Sequence, residues 1–183
     1  MAIVAFDSLG TLFDPGGLEE RMPRLLHHAL SLTVAGAWAP LDELAAALDP
    51  ELGKRLPELT AYDDALPALE SARRANGEAW VLTNGSRATT KGLLERSGLA
   101  DLVTEIRSVE DVERYKPHPA VYKLLPADAT LVAAHGWDVF GARAAGRRAV
   151  WVDRLEQEWP LPGEPHEPRA SSLVEAARLA SGA

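Results

Sequence analysis

At four places in this sequence polar residues stand just after, or in a turn beside, a short apolar run. Asp7 follows Ile3-Val4-Ala5-Phe6, and Thr83-Asn84 follows Ala79-Trp80-Val81-Leu82. Lys116 lies in the loop Tyr115-Lys116-Pro117-His118-Pro119, and Asp138 in the turn His135-Gly136-Trp137-Asp138. A carboxylate at the end of a buried strand can attack carbon or phosphorus and form a covalent intermediate. A lysine beside it offsets its charge and that of a substrate, and lowers its pKa. A second acid, here Asp138 with His135, can position or deprotonate the water that resolves the intermediate. The hydroxyl of Thr83 and nearby backbone N–H groups can hold a substrate oxygen. Each residue alone also has a plain structural reading. Asp7 caps a turn, Thr83-Asn84 forms one, Lys116 is solvated, and Asp138 caps a helix beside a core tryptophan. Their succession at strand ends is what points to an active site.

The elements that position them follow from periodicity. Gly10 lets the chain turn sharply after Asp7, because glycine takes unusual backbone angles without strain, and Thr11 can steady the carboxylate across that turn. Residues 18–32 read as a helix with Leu18, Met22, Leu25, Leu26 and Leu30 near helical spacing, and Pro23 marks an alternative start. Residues 40–48 read as a second helix with Pro40 first and Asp42 and Glu43 at its positive end. Residues 52–59 are short and broken by Pro57. Helices are expected over 65–75, closed by Asn76-Gly77, and over 87–97, 120–125, 136–145 and 173–180. Strands are expected over 79–82, 102–106, 130–134 and 149–152, and a loop over the Pro- and Glu-rich stretch 156–168. Strands alternating with helices through short connections predict an α/β fold: a Rossmann-like parallel sheet with helices on both faces. Residues 1–14 and 61–183 form the expected core, and 15–60 a small helical cap inserted after the first strand.

Composition narrows the function. The chain has 183 residues, is 46% hydrophobic and carries a net charge of -8. That suits one domain with a packed core, and an acidic surface repels nucleic acid. The sequence has no cysteine, which excludes disulfides and thiolate metal sites. No apolar run reaches the roughly 20 residues of a membrane span, and no basic leader precedes the first strand. The expectation is a cytoplasmic protein acting on a small molecule, without nucleic acid or membrane as partner, and with a homodimer left open. His27 and His28 are neighbours and do not share a helix face, so they are not expected to bind one metal.

The stretch Phe6-Asp7-Ser8-Leu9-Gly10-Thr11-Leu12-Phe13-Asp14 resembles the first motif of the haloacid dehalogenase superfamily. The likeness extends to its L-2-haloacid dehalogenase branch. Leu82-Thr83-Asn84-Gly85-Ser86 is similar to the second motif, with Thr83 where Ser is usual. Lys116-Pro117-His118-Pro119 with Tyr122, six residues after the lysine, resembles the lysine motif. Gly136-Trp137-Asp138 with Gly141-Ala142-Arg143 resembles the fourth, and Trp151-Val152-Asp153-Arg154 the strand beyond it. The resemblance implies a hydrolase with Asp7 as nucleophile. Thr11, Thr83, Asn84, Lys116 and Asp138 would assist it, and Ser8, Leu9, Tyr122 and His135 would line the substrate site.

The departures shape the chemistry. Family phosphatases carry a second aspartate two residues after the nucleophile, where this chain has Leu9. An alkoxide leaving group needs the proton that such an acid supplies, and a halide does not. The branch has Tyr at the position of Leu9, and Ser and Asn where this chain has Ala133 and His135. The insertion is shorter than the branch's cap and lacks its arginine-bearing helix. Carbon–halogen hydrolysis through an aspartyl ester, needing no cofactor, is therefore the leading expectation. A phosphatase is the alternative, with Mg2+ held by Asp7, the Leu9 carbonyl and Asp138. A phosphonatase-like hydrolase would need a cap lysine, and Lys54 is the only one in the insertion. A catalytically silent binding protein is the third reading.

Overall fold

The computed structural model describes residues 2–74, 77–156, 158–162 and 168–182. Its sheet is parallel throughout. The strands are β1 (Ile3–Asp7), β2 (Glu78–Thr83), β3 (Glu105–Ser108), β4 (Thr130–Ala133), β5 (Arg148–Val152) and β6 (Arg169–Ala170), in the order β3-β2-β1-β4-β5-β6. β1 is central, with Asp7 facing Leu82 of β2, and Phe6 set between Val81 and Val132 of β4. Val4, Ala5, Phe6, Leu131, Val132, Val150 and Val152 are buried. Near-continuous apolar strands of this kind belong to parallel sheets covered on both faces. The order reverses on either side of β1, so a crevice opens at the carboxyl ends of β1 and β4, where such sheets bind ligands.

Helices cover both faces. α4 (Ala65–Arg73) packs against α8 (Leu173–Ser181), which lies on β1, β4 and β5. α7 (Gly136–Ala144) covers β4 and β5, with the single turn α6 (Pro119–Tyr122) against it, and α5 (Arg87–Arg96) flanks β3. Ser172 caps α8 by accepting from the Glu175 amide, and Ser86 caps α5 by accepting from the Thr89 amide. α7 comes very close to α6: a Cβ on Gly141 would sit 2.5 Å from the Tyr122 hydroxyl oxygen, so only glycine fits there.

Residues 15–60 hold α1 (Met22–Ala35), α2 (Leu41–Leu48), α3 (Pro50–Arg55) and a 3-10 turn at Leu56–Glu58. Their base is pinched where the Asp14 amide donates to Thr60 O at 2.9 Å and Phe13 pairs with Ala61. Leu25, Ala29, Leu41, Ala45, Leu52 and Leu56 join the hydrophobic core of the rest of the chain. The insertion has no separate core, in keeping with its small size.

Several elements differ from the sequence expectation, among them the helix expected over 120–125, which ends at Tyr122. α1 begins at Met22, near the alternative start at Pro23, because residues 15–21 form turns. Pro40 precedes α2 instead of opening it. The expected strand over 102–106 lies later, at Glu105–Ser108, because Ala100–Leu102 closes into a 3-10 turn. β6 was not expected from sequence, and its two residues are too few to show alternation. Ala75 and Asn76, at the expected end of α4, lie outside the described residues, as do Gln157 and residues 163–167 of the expected loop. Among the described residues no helix is long and apolar enough to cross a membrane.

Candidate active site

Asp7 ends β1 and places its carboxylate at the mouth of the crevice. The turn after it is tight: the Leu12 and Phe13 amides both donate to Ser8 O, and Gly10 adopts φ +79°. A Cβ on Gly10 would approach His135 Cε1 to 2.7 Å, so this turn closes directly over the imidazole. The Thr11 hydroxyl donates to Asp7 Oδ2 at 3.0 Å and accepts from the Ala134 amide at 3.0 Å. It therefore ties the first strand's turn to the end of β4.

Lys116 reaches the same point from the loop after β3. Its ammonium donates to Asp7 Oδ1 and to Asp138 Oδ2, both at 2.8 Å, and its side chain is fully buried. Asp138 sits in the first turn of α7, and its other oxygen accepts from the Tyr122 hydroxyl at 2.7 Å. Asn84 fixes the lysine loop, with Oδ1 accepting from the Lys116 amide at 3.0 Å. That bond leaves the Asn84 NH2 group directed elsewhere, and Asn84 lines the cavity. Thr83 Oγ1 accepts from the Gly85 amide at 2.9 Å and from the Thr90 hydroxyl at 3.4 Å.

This network sets the charge states. Burial works to raise the Asp7 carboxyl, but the Lys116 charge and the His135 side chain outweigh it and hold the group well below the usual carboxylate range. Burial and the neighbouring Asp7 raise Asp138 despite Lys116. Burial opposes the charge of Lys116, yet Asp138 and Asp7 together push its pKa up, so the ammonium stays charged. Burial likewise opposes charge on His135, while the facing Asp7 carboxylate raises it. His135 Nδ1 lies 3.6 Å from Asp7 Oδ2, too far for a hydrogen bond, and it is buried with no hydrogen-bond partner.

The cavity over Asp7 measures about 560 Å³. Its floor includes Asp7, Leu9, Thr83, Asn84 and His135. α1 and α2 supply Met22, Leu25, Leu26 and Leu41 from the other side, and Leu155 and Trp137 close it laterally. Two expected lining residues lie elsewhere. Tyr122 is fully buried behind Asp138, and Ser8 is 1% exposed. Lys54 is exposed and does not line the cavity. Sequence reasoning missed Glu19, Glu156 and the α1 side chains as lining residues. The apolar α1 positions carried only a helical-face signal, and Glu156 stood in a stretch without periodicity.

A magnesium site does not fit this arrangement. The Lys116 ammonium stands between Asp7 and Asp138, and both Asp138 oxygens are already engaged in a pocket closed to solvent. Mg2+ needs several open oxygen positions in near-octahedral array. Among the described residues no cluster of three or more metal-ligating side chains occurs.

The sequence matches the family model of haloacid dehalogenase-like hydrolases over residues 7–125. The chain belongs to the haloacid dehalogenase-like hydrolases. It is 28% identical to (S)-2-haloacid dehalogenase 1 of Pseudomonas sp. (strain CBS-3), covering 95% of this chain and 94% of that protein. That alignment spans 213 positions, more than the 183 residues here, so the relative carries segments this chain lacks. A phosphatase of Mycobacterium tuberculosis (strain CDC 1551 / Oshkosh) is 39% identical over 105 residues, 52% of this chain and 48% of that protein. The L-2-haloacid dehalogenase of Xanthobacter autotrophicus, solved with chloropropionic acid covalently bound, superposes with a TM-score of 0.84 at 22% identity, covering 98% of both chains. The fold is thus that of the L-2-haloacid dehalogenases. The protein is a hydrolase of the haloacid dehalogenase type, a class that works through an aspartate nucleophile.

Proposed function

We propose that this hydrolase cleaves a carbon–halogen bond through an ester at Asp7, with residues 15–60 as a reduced cap over the substrate. The observation that carries this reading is the state of Asp7: a carboxylate kept ionised by Lys116 at the floor of an apolar cavity. Asp7 attacks the halogen-bearing carbon from the side opposite the halogen. The C–O bond forms, the C–X bond breaks, and the halide leaves with the bonding electrons. No proton is needed, which agrees with Leu9 at the position where a proton donor would stand. The Asn84 NH2 group is placed to donate to the halide or to a substrate carbonyl.

The second step needs a base that can reach solvent. Asp138 is a positioning residue, since Lys116 and Tyr122 take both its oxygens and it is fully buried. His135 lines the cavity and faces the same carboxylate. Alkylation removes the negative charge of Asp7, and with it the main influence raising the His135 pKa. The neutral imidazole takes a proton from water, and hydroxide adds to the Asp7 carboxyl carbon. The bond between that carbon and the ester oxygen breaks, and the alcohol departs with the proton returned by His135. The Asp7 carboxylic acid so formed loses its proton to regenerate the carboxylate. The net reaction consumes one water and yields an alcohol, a halide and a proton.

Halide release from 2-chloro- and 2-bromo-substituted three-carbon compounds tests the reading. The native protein should release halide and Asp7→Asn none, with both giving the same thermal transition within a few degrees. Full activity in Asp7→Asn would end it.

A further inference from the structure

Acidic groups outnumber basic ones around the cavity over Asp7. Glu19 and Glu156 line its rim, and Asp7 and Asp138 sit at and behind its floor. Among the described residues that line or floor the cavity, the cationic groups are the Lys116 ammonium and the His135 imidazole. Lys116 is fully buried and already shared between Asp7 and Asp138. No arginine or lysine lines the cavity among the described residues, and the residues outside that set include neither type. Arg154, the nearest arginine to the turn after Asp7, grips both oxygens of Asp64 and stacks over Tyr62. Arg55 is turned onto Gly16 O. The remaining wall, from Met22, Leu25, Leu26, Leu41 and Leu155, is apolar.

We infer that the pocket selects organohalides whose group beside the halogen-bearing carbon is uncharged, such as a 2-haloamide or haloester, over the free 2-haloacid. The inference rests on the proposed carbon–halogen hydrolysis and names its substrate class. A free acid would bring a fifth carboxylate into a space with two cations, one of them already fully committed. A buried carboxylate without its own cationic partner is costly. An amide or ester of the same shape avoids that cost. Its carbonyl can accept from the Asn84 NH2 group, since Asn84 lines the cavity and its Oδ1 already accepts from the Lys116 amide. Glu156 is fixed in place, accepting from the Gly136 amide at 2.7 Å, so its charge stays at the rim.

The test separates binding from chemistry. Calorimetric titration of the native protein with propionamide and with propionate, neither of which can react, reads selectivity alone. Propionamide should bind at least about tenfold more tightly, the scale of one unpaired like-charge contact at intermediate dielectric. Glu19→Gln combined with Glu156→Gln should narrow that ratio by strengthening propionate, leaving propionamide unchanged. Halide release from 2-chloropropionamide and 2-chloropropionate should then follow the same order. Equal or tighter binding of propionate overturns the inference, as does no binding of either compound, or a ratio untouched by the double substitution. The expected binding order without halide release from any compound would sustain the substrate class and refute the hydrolysis on which it rests.

Discussion

The floor and the roof of this site are built on opposite principles. The floor is a chain of buried charge: Tyr122 to Asp138 to Lys116 to Asp7, each link 2.7–2.8 Å long. Its geometry is over-determined, and every member comes from a different strand end, loop or helix. The roof, α1 and α2, presents aliphatic side chains to the cavity and is tied to the core by polar contacts at its edge. Asp42 accepts from the Ser86 and Thr89 hydroxyls at 2.6 and 2.8 Å, and the Tyr115 hydroxyl donates to Ala39 O at 2.6 Å. Apolar packing specifies volume rather than identity, so a roof can be shortened or reshaped at modest cost. A half-satisfied charge network cannot. On the proposed function, the reaction type resides in the floor and the choice of substrate in the roof and rim.

Breaking the floor should have the largest effect. Lys116→Met leaves Asp7 and Asp138 facing each other without a cation. Removing one partner of a buried pair costs about 3–5 kcal/mol, so urea denaturation should show a loss of that size and activity should vanish. A stability within about 1 kcal/mol of the native protein would mean that the two carboxylates share a proton without strain.

His135→Gln sharpens the division within the floor, between the residue that opens to the cavity and the aspartate that does not. One equivalent of halide should appear in a burst, followed by a steady rate lower by roughly 10²–10⁴-fold, the usual worth of a positioned base. In the native protein, hydrolysis of the ester requires the neutral imidazole. Its rate should rise as pH increases through the His135 pKa and level off above it. The Asp7 carboxyl is held well below the usual carboxylate range, so ester formation should be flat across the same window. A rate of ester hydrolysis that falls with rising pH would remove His135 as the base.

The smallest effect is expected at the join between the two regions. Asp42→Ala deletes the acceptor shared by Ser86 and Thr89 and should cost about 1–2 kcal/mol of stability. KM should rise as the roof loosens, with kcat nearly constant. A drop in kcat alone would show that the roof shapes the chemical step.

Much of the floor was legible in the sequence because each residue ended or flanked a short apolar run. Asp7, Thr83 and Lys116 announced themselves by position, and Asp138 by its place in the first turn of a helix. Their pairing was not legible. Nothing in Tyr122 as a letter shows that it hydrogen-bonds Asp138 rather than a substrate, since that depends on Gly141 letting α7 approach α6. The parallel strands were visible as apolar runs. β3 slipped because Ala100–Leu102 turns instead of extending, and because its pairing sets Trp80 beside Glu105 while Arg107 covers the Trp80 ring. The rim was the least legible region. Glu19 and Glu156 are far apart in sequence, the first at the start of a stretch read as helix and the second in one without periodicity, so only the folded chain brings them to one cavity.

The central claim is that Asp7 carries the substrate as an ester. A single-turnover reaction in water enriched in heavy oxygen, with protein in excess over a 2-chloro substrate, tests it directly. Water attack at the Asp7 carboxyl carbon predicts one heavy oxygen in the peptide containing Asp7 and an alcohol product of ordinary mass. Heavy oxygen in the alcohol after the first turnover, with Asp7 unlabelled, would show direct attack by water on the substrate and contradict the account.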